Sequence, residues 1–274
     1  MSTKSSSETP PEIAAHFEVW EGSGNNGVEH SLPKIILICE HASNQFEEPW
    51  EQQLKDSELR TSHAASDPGA LGLARELGSC LEELGGRVEL IHAPFSRLMY
   101  DLNRSPDRPD AYPEQSELYA IPFNVQLSPA ERLRRVEHIY IPFHNFVRAR
   151  IAHVLASGEQ PIVISIHSFS PTWYGTPRSL EFGVIHDVFP DLATQIVANS
   201  APLGLVTALN EPYSAKDHVT HTLKLHAVPY GLANAMIEIR NDLLATVAAQ
   251  KELAQGLSRI LIKSIIHTME QVKV

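Results

Sequence analysis

His41 and His167 occupy matching settings in the chain. Each follows a short, β-branched apolar run, Ile35-Ile36-Leu37-Ile38-Cys39 before one and Ile162 to Ile166 before the other, and each is followed by a small residue. A single such histidine is as readily a hydrogen-bonded ring at a strand end, but the repetition favours ligation of a metal. Zinc takes neutral imidazole nitrogen and carboxylate oxygen, and a catalytic site keeps one position open for water. The third protein ligand is then Asp67, in Ser66-Asp67-Pro68-Gly69-Ala70, or Asn44, three residues beyond His41. Asp-Pro-Gly is also ordinary turn and capping chemistry. A carboxylate offsets a cation's charge where an amide does not, which ranks Asp67 first.

Glu238 lies in the apolar stretch Ala235-Met236-Ile237-Glu238-Ile239, where an ionised carboxylate is costly without a partner. An ion pair with Arg240 on the same strand face is the structural explanation. The chemical one, which we favour, is a general base acting on metal-bound water. A fourth segment, Ser96-Arg97-Leu98-Met99-Tyr100-Asp101-Leu102-Asn103-Arg104, sets two arginines, an aspartate and an asparagine close together. At an active sheet end, Arg104 with Asn103 could grip a carboxylate and Arg97 could polarise a carbonyl. Arg178, Arg240, Tyr213 and Ser214 are further candidates for substrate contact.

Strands must carry these groups to one place. The runs at 35–39, 88–91, 162–166 and 235–239 read as strands buried on both faces, and Leu71 to Leu84 has helical spacing until Gly85-Gly86 stops it. Ser128-Pro129-Ala130-Glu131 opens a long helix that Pro142 could kink. Alternating strands and helices imply an α/β fold with a mainly parallel or mixed sheet covered on both faces. Ligands in such sheets bind beyond the carboxyl ends of the strands. Residues 1–30 read as a flexible tail and 31–274 as a single catalytic domain.

Twenty-two Lys plus Arg stand against 33 Asp plus Glu, a net charge of -11, which argues against nucleic acid and anionic lipid as partners. No apolar run is long enough to span a membrane. Two cysteines, Cys39 and Cys80, are too few for a disulfide framework, and with no signal-like start the expected location is cytoplasmic. A homodimer is the default oligomer.

The chain resembles the N-formylglutamate amidohydrolase family at CEHASN (39–44), SDPGALGLARELG (66–78), SRLMYDLNR (96–104), SIHSFSP (165–171), NEPYSAKD (210–217) and MIEIRNDL (236–243). That family is similar to the zinc carboxypeptidases and aspartoacylases, so the resemblance implies a carboxypeptidase-like (phosphorylase/hydrolase-like) fold, one Zn²⁺ ion and a small acidic N-acyl amino acid as substrate. It makes His41 and His167 metal ligands, Asn103 and Arg104 the grip on the substrate carboxylate, and Glu238 the general base. The departure is at the second ligand, His-x-x-Glu in the carboxypeptidases and His41-Ala42-Ser43-Asn44 here, which leaves Asp67 or Asn44 to complete the metal site.

Competing readings are weaker. Cys39 lies inside an apolar run, where a thiol is usually inert, and Ser168 has no Gly-x-Ser-x-Gly elbow around it. His218, His221 and His226 lack the His-Glu-x-x-His spacing of a metal cluster and read as part of a solvated loop. A catalytically inactive metabolite-binding protein is the alternative to an enzyme.

Overall fold

The computed structural model describes residues 19–21, 32–54 and 58–272. Seven strands form one sheet: β1 (Val19–Glu21), β2 (Lys34–Cys39), β3 (Arg87–His92), β4 (Ile162–Phe169), β5 (Phe182–Ile185), β6 (Thr207–Leu209) and β7 (Asn234–Arg240). Their order is β1-β3-β2-β4-β7-β5-β6. β3, β2, β4 and β7 run parallel, β1 joins antiparallel to β3, and β5 with β6 runs against β7. The fold is mixed α/β with a mostly parallel centre, as expected. Val19–Glu21 lies inside the stretch read as a tail, yet its backbone pairs with β3; the remainder of that stretch lies outside the described residues.

Beyond a single turn at Trp50–Gln53, the α-helices are α1 (Ala70–Glu83), α2 (Pro129–Arg135), α3 (Ile141–Ala156), α4 (Asp191–Asn199), α5 (His221–His226) and α6 (Val247–Val272). Ser128 caps α2, its hydroxyl accepting from the Glu131 amide. The expected disturbance at Pro142 takes the form of a π-helical turn, Val136–Tyr140, between α2 and α3. Proline lacks the N–H that would continue the ladder and crowds the carbonyl four residues back, His138.

Side-chain alternation sorts the central strands onto two apolar layers. Ile35 and Leu37, with Ile162, Ile164 and Ile166 and with Ala235, Ile237 and Ile239, pack under α1, α4 and α6. Ile36 and Ile38, Val163 and Met236 face the other layer, with Phe143, Val147 and Ile151 of α3. By the same parity Ser165 and His167 continue the Val163 face, and Glu238 continues the Met236 face. β4 and β7 are in register with His167 opposite Glu238, so the two polar groups meet on one face at the carboxyl end. β4 was expected to stop at Ile166, but its ladder continues to Phe169. His167 is therefore held by strand backbone, not by a loop.

Two short hairpins rise beyond this end of the sheet: Gln115–Ser116 paired with Tyr119–Ala120, and Thr172–Trp173 paired with Thr176–Pro177. Among the described residues no helix is long and apolar enough to cross a membrane.

Candidate active site

Three buried side chains from three segments converge. His41 follows β2, Asp67 precedes α1 and His167 lies in β4; one potential ligand atom from each falls within 4.8 Å of the others. Nδ1 of His167 is 2.8 Å and Nδ1 of His41 3.3 Å from Asp67 Oδ2, and the rings meet edge to face at 4.8 Å between centroids. Asp67 is placed by backbone: its amide donates to His41 O, and its carbonyl accepts from Ala70 N. Gly69, at the N-terminus of α1, has φ +80°, and a Cβ there would meet Leu244 Cβ at 2.4 Å. Only glycine fits that turn. α1 has no side-chain cap, so Asp67 is not spent as one, and its carboxylate is free to face the histidines.

The far nitrogen of each ring is also engaged. His41 Nε2 lies 2.8 Å from Asp101 Oδ1. His167 Nε2 lies 2.7 Å from Ser165 Oγ and 3.2 Å from Glu40 Oε2, and Ser165 itself donates to Glu40. An imidazole whose distal nitrogen is held by a carboxylate is oriented, and made more basic, for ligation through the other nitrogen. Both rings present the same atom, Nδ1, to the same point. With two imidazoles, one carboxylate and this outer shell, the site fits a zinc-like cation.

The electrostatics agree. Burial pushes Asp67 up, but the two histidines hold it well below the carboxylate range. Glu40 is likewise raised by burial and pulled down by His167, to about 2. Burial opposes charge on His167, yet Glu40 and Asp67 raise it well above its ordinary value; a cation at Nδ1 would displace that proton. Glu238 behaves in the opposite way. It is 5% exposed, its Oε2 has no hydrogen-bond partner among the described residues, and burial with help from Asp67 raises it to about 7.

The cavity above these groups has a volume of about 420 Å³ and is lined by His41, Asp67, His167 and Glu238 together with Arg97, Arg104 and Tyr213. Arg97 donates to Asp67 Oδ1 at 3.3 Å and also to Asp101, tying both sides of the cluster together. Tyr213 arrives because Gly183, opposite Glu238 in the β5–β7 ladder, has no side chain: a Cβ there would lie 2.0 Å from Glu211 O. The Glu211–Pro212 backbone packs directly on that glycine.

The expected contacts are brought together only in part. Asn44 is outside the cavity lining and its Oδ1 accepts from Gln45 Nε2, whereas Asp67 stands beside the two imidazoles. Asn103 lines the cavity, but both ends of its amide are used: Nδ2 donates to Val219 O and Oδ1 accepts from Thr222 N. It anchors the loop to α5 and keeps the second Nδ2 hydrogen for a further acceptor. Arg104 reaches the cavity while bonded to Asp110 through Nε and to Asn103 O and His218 O through Nη1. Arg178 stands behind the lining, stacked on Phe169, Trp173 and Tyr213 and donating to the Tyr213 hydroxyl; it braces Tyr213. Ser214 pairs with Asp217 in a capping box. Arg240 turns away to Glu181 and Asp242, so it is not the ion-pair partner of Glu238.

Glu40 and Asp101 were not singled out as site residues. Their signal was weak: a carboxylate at the end of an apolar strand, and one more acid in an Arg-rich segment. Cys39 is fully buried, and burial pushes its thiol well up, which suits an inert role. The Ser168 hydroxyl donates to Pro68 O. His221 and His226 are not in a solvated loop: they lie in α5, and their Nε2 atoms lie 2.9 Å from the Tyr140 hydroxyl and 2.8 Å from His144 Nδ1.

A mixed, mostly parallel α/β sheet with a buried His, Asp, His cluster at its carboxyl edge is an architecture met among hydrolases, and comparison with known proteins gives the family. The family model for N-formylglutamate amidohydrolase matches residues 34–245. The chain belongs to the N-formylglutamate amidohydrolase family. Among solved structures, gene product Atu2144 from Agrobacterium tumefaciens is 39% identical, covers 92% of this chain and 96% of its own, and has a TM-score of 0.83. N-formylglutamate amidohydrolase from Ralstonia eutropha JMP134 is 16% identical over 94% of this chain and 99% of its own, with a TM-score of 0.62, a likeness of fold. A metallo-carboxypeptidase from Burkholderia cenocepacia aligns at 12% identity over 92% of this chain and 61% of its own, at a TM-score of 0.43, too distant to carry weight. A search of curated proteins gives no match.

Proposed function

We propose that the protein is a metal-dependent amidohydrolase that cleaves the amide bond of N-formyl or N-acyl amino acids, N-formylglutamate-like compounds being the class its family's name suggests. The observation that carries this reading is the pairing of a His, Asp, His triad with a buried carboxylate whose Oε2 has no hydrogen-bond partner among the described residues: His41, Asp67 and His167 line the same cavity as Glu238.

The triad would hold one divalent ion, and its two nitrogens and one oxygen match zinc's preference. A bound ion of this kind supplies Lewis acidity toward water and a carbonyl. Glu238 has the place and the raised proton affinity to take a proton from the attacking water and to return it to the departing amine. Arg97 donates to the acyl oxygen as negative charge develops there. Arg104 holds the amino acid's carboxylate with its remaining nitrogen, and Tyr213, braced by Arg178, closes the side of the cavity. Asp101 and Glu40 keep the two imidazoles in orientation.

The test is amine release from a panel of N-formyl and N-acetyl amino acids by protein loaded with zinc, before and after chelation. Turnover lost to the chelator and restored by zinc supports the reading. Turnover insensitive to chelation, or none at one bound equivalent of zinc, would overturn it.

A further inference from the structure

We infer that Glu117 is a positioning residue of this site: by tying the tip of one hairpin to a neighbouring segment across the cavity mouth, it holds Trp173 and Tyr174 as a fixed wall against which the substrate binds. The inference rests on the amidohydrolase reading above and adds to it a residue that shapes the site without touching the reacting atoms.

The two hairpins beyond the sheet are very short. Each pairs two residues with two across a two-residue tip, Glu117-Leu118 in one and Tyr174-Gly175 in the other. An isolated hairpin is at best marginally stable in water. Neither Trp173 nor Tyr174 belongs to the two apolar layers that flank the sheet, and they are 36% and 61% exposed, so burial does not hold the 172–177 hairpin in place. Both tips nevertheless keep backbone conformations that non-glycine residues adopt reluctantly, φ +51° at Glu117 and +47° at Tyr174. Such conformations persist where surrounding contacts fix them.

Glu117 supplies those contacts. At its tip the usual polarity is inverted, with Leu118 78% exposed and Glu117 only 8% exposed. A buried carboxylate is costly unless it has partners, and Glu117 has two. Its Oε1 accepts from the Tyr174 amide at 2.8 Å, and its Oε2 lies 2.8 Å from His63 Nε2. His63 belongs to the stretch that leads into Asp67, so one side chain joins both hairpins to the segment carrying a member of the triad. The aromatic pair is steadied from the other side as well. Arg178 stacks on the Trp173 ring with its guanidinium carbon 5.1 Å from the centroid, and the Trp173 and Tyr174 rings meet edge to face. His63, Glu117, Trp173 and Tyr174 all line the cavity. A wall ordered before the substrate arrives leaves less ordering to be done on binding. Glu117 therefore acts on substrate affinity, through Tyr174, and not on the bond being broken.

The test separates affinity from chemistry. Zinc-loaded wild type, Glu117→Ala and Glu117→Gln are compared for kcat and KM with N-formyl-L-glutamate, for amide hydrogen exchange over residues 172–177, and for zinc affinity. Glu117→Ala is expected to raise KM about tenfold with kcat within about twofold, to speed exchange of the 172–177 amides, and to leave zinc affinity unchanged. Glu117→Gln keeps an oxygen for the Tyr174 amide and should recover most of the lost KM. An unmoved KM or unchanged exchange in Glu117→Ala, a loss carried by kcat or by zinc affinity, or a Gln variant no better than Ala would overturn the inference. Calorimetric titration of the same compound into zinc-loaded Glu238→Gln protein, with and without Glu117→Ala, gives affinity independently of turnover. A tenfold loss there beside a wild type that hydrolyses nothing would sink the amidohydrolase reading and leave Glu117 as the brace of a binding site; no binding, or equal binding, would sink the brace.

Discussion

His167 and Glu238 face each other across neighbouring parallel strands, one with both ring nitrogens engaged, the other with a carboxylate oxygen that has no hydrogen-bond partner among the described residues. The contrast separates their roles. The His167 ring is held still by Asp67, Ser165 and Glu40, whereas Glu238 is the base in the function proposed above. Replacing Glu238 with Gln keeps the volume and removes the base. Turnover should fall about 100-fold or more, with zinc content and thermal unfolding unchanged; near-normal rates would rule out the assignment.

The carboxylates behind the histidines give a second test. Asp101→Asn and Glu40→Gln leave His41, Asp67 and His167 in place but weaken their orientation. Zinc affinity, measured by competition with a chromophoric chelator, should drop by about 10- to 100-fold in each. Affinity equal to wild type would mean that these acids are merely buried neighbours.

Arg135 is 1% exposed and donates to Met99 O, Phe123 O and Asn124 Oδ1, with Glu131 as its charge partner. It pins the 96–104 segment from behind. Arg135→Ala strands those acceptors without donors and leaves a cavity, which should cost about 3 kcal/mol in urea unfolding. A loss under about 1 kcal/mol would show that water replaces it.

The His144–His226 pair should make stability depend on pH. Burial, with His221 adding to it, depresses His226 to about 4, and His144 too is well below its ordinary value. In the unfolded chain both titrate near about 6.5. Between those limits the unfolded state binds more protons, so stability present above about 6.5 is lost as pH falls toward about 4. The geometry shows what is at stake: His144 Nε2 donates to Leu102 O, beside Asp101. A His226→Gln protein should lose less unfolding free energy between pH 7 and pH 5 than wild type; identical losses would exclude the pair.

The linear chain determined the buried strands, the helices beginning at 70 and 129, and the candidates His41, His167, Asp67 and Glu238, because each of these follows from local rules. Apolar runs make buried strands, Ser-Pro-x-Glu starts a helix, and alternation assigns His167 and Glu238 to faces before any coordinate is known. β5 and β6 were not foreseen, because Phe182–Ile185 and Thr207–Leu209 are too short for periodicity to mark them. Only the tertiary structure set Asp67 and not Asn44 beside the two imidazoles, tied the Asn103 amide to the backbone around Val219 and Thr222, drew Arg240 to Glu181 and Asp242, and put Glu40 and Asp101 behind the imidazoles. Those outcomes depend on which groups meet across 26 to 125 residues of chain. Such meetings are settled by strand order and register, and residue type alone does not record them.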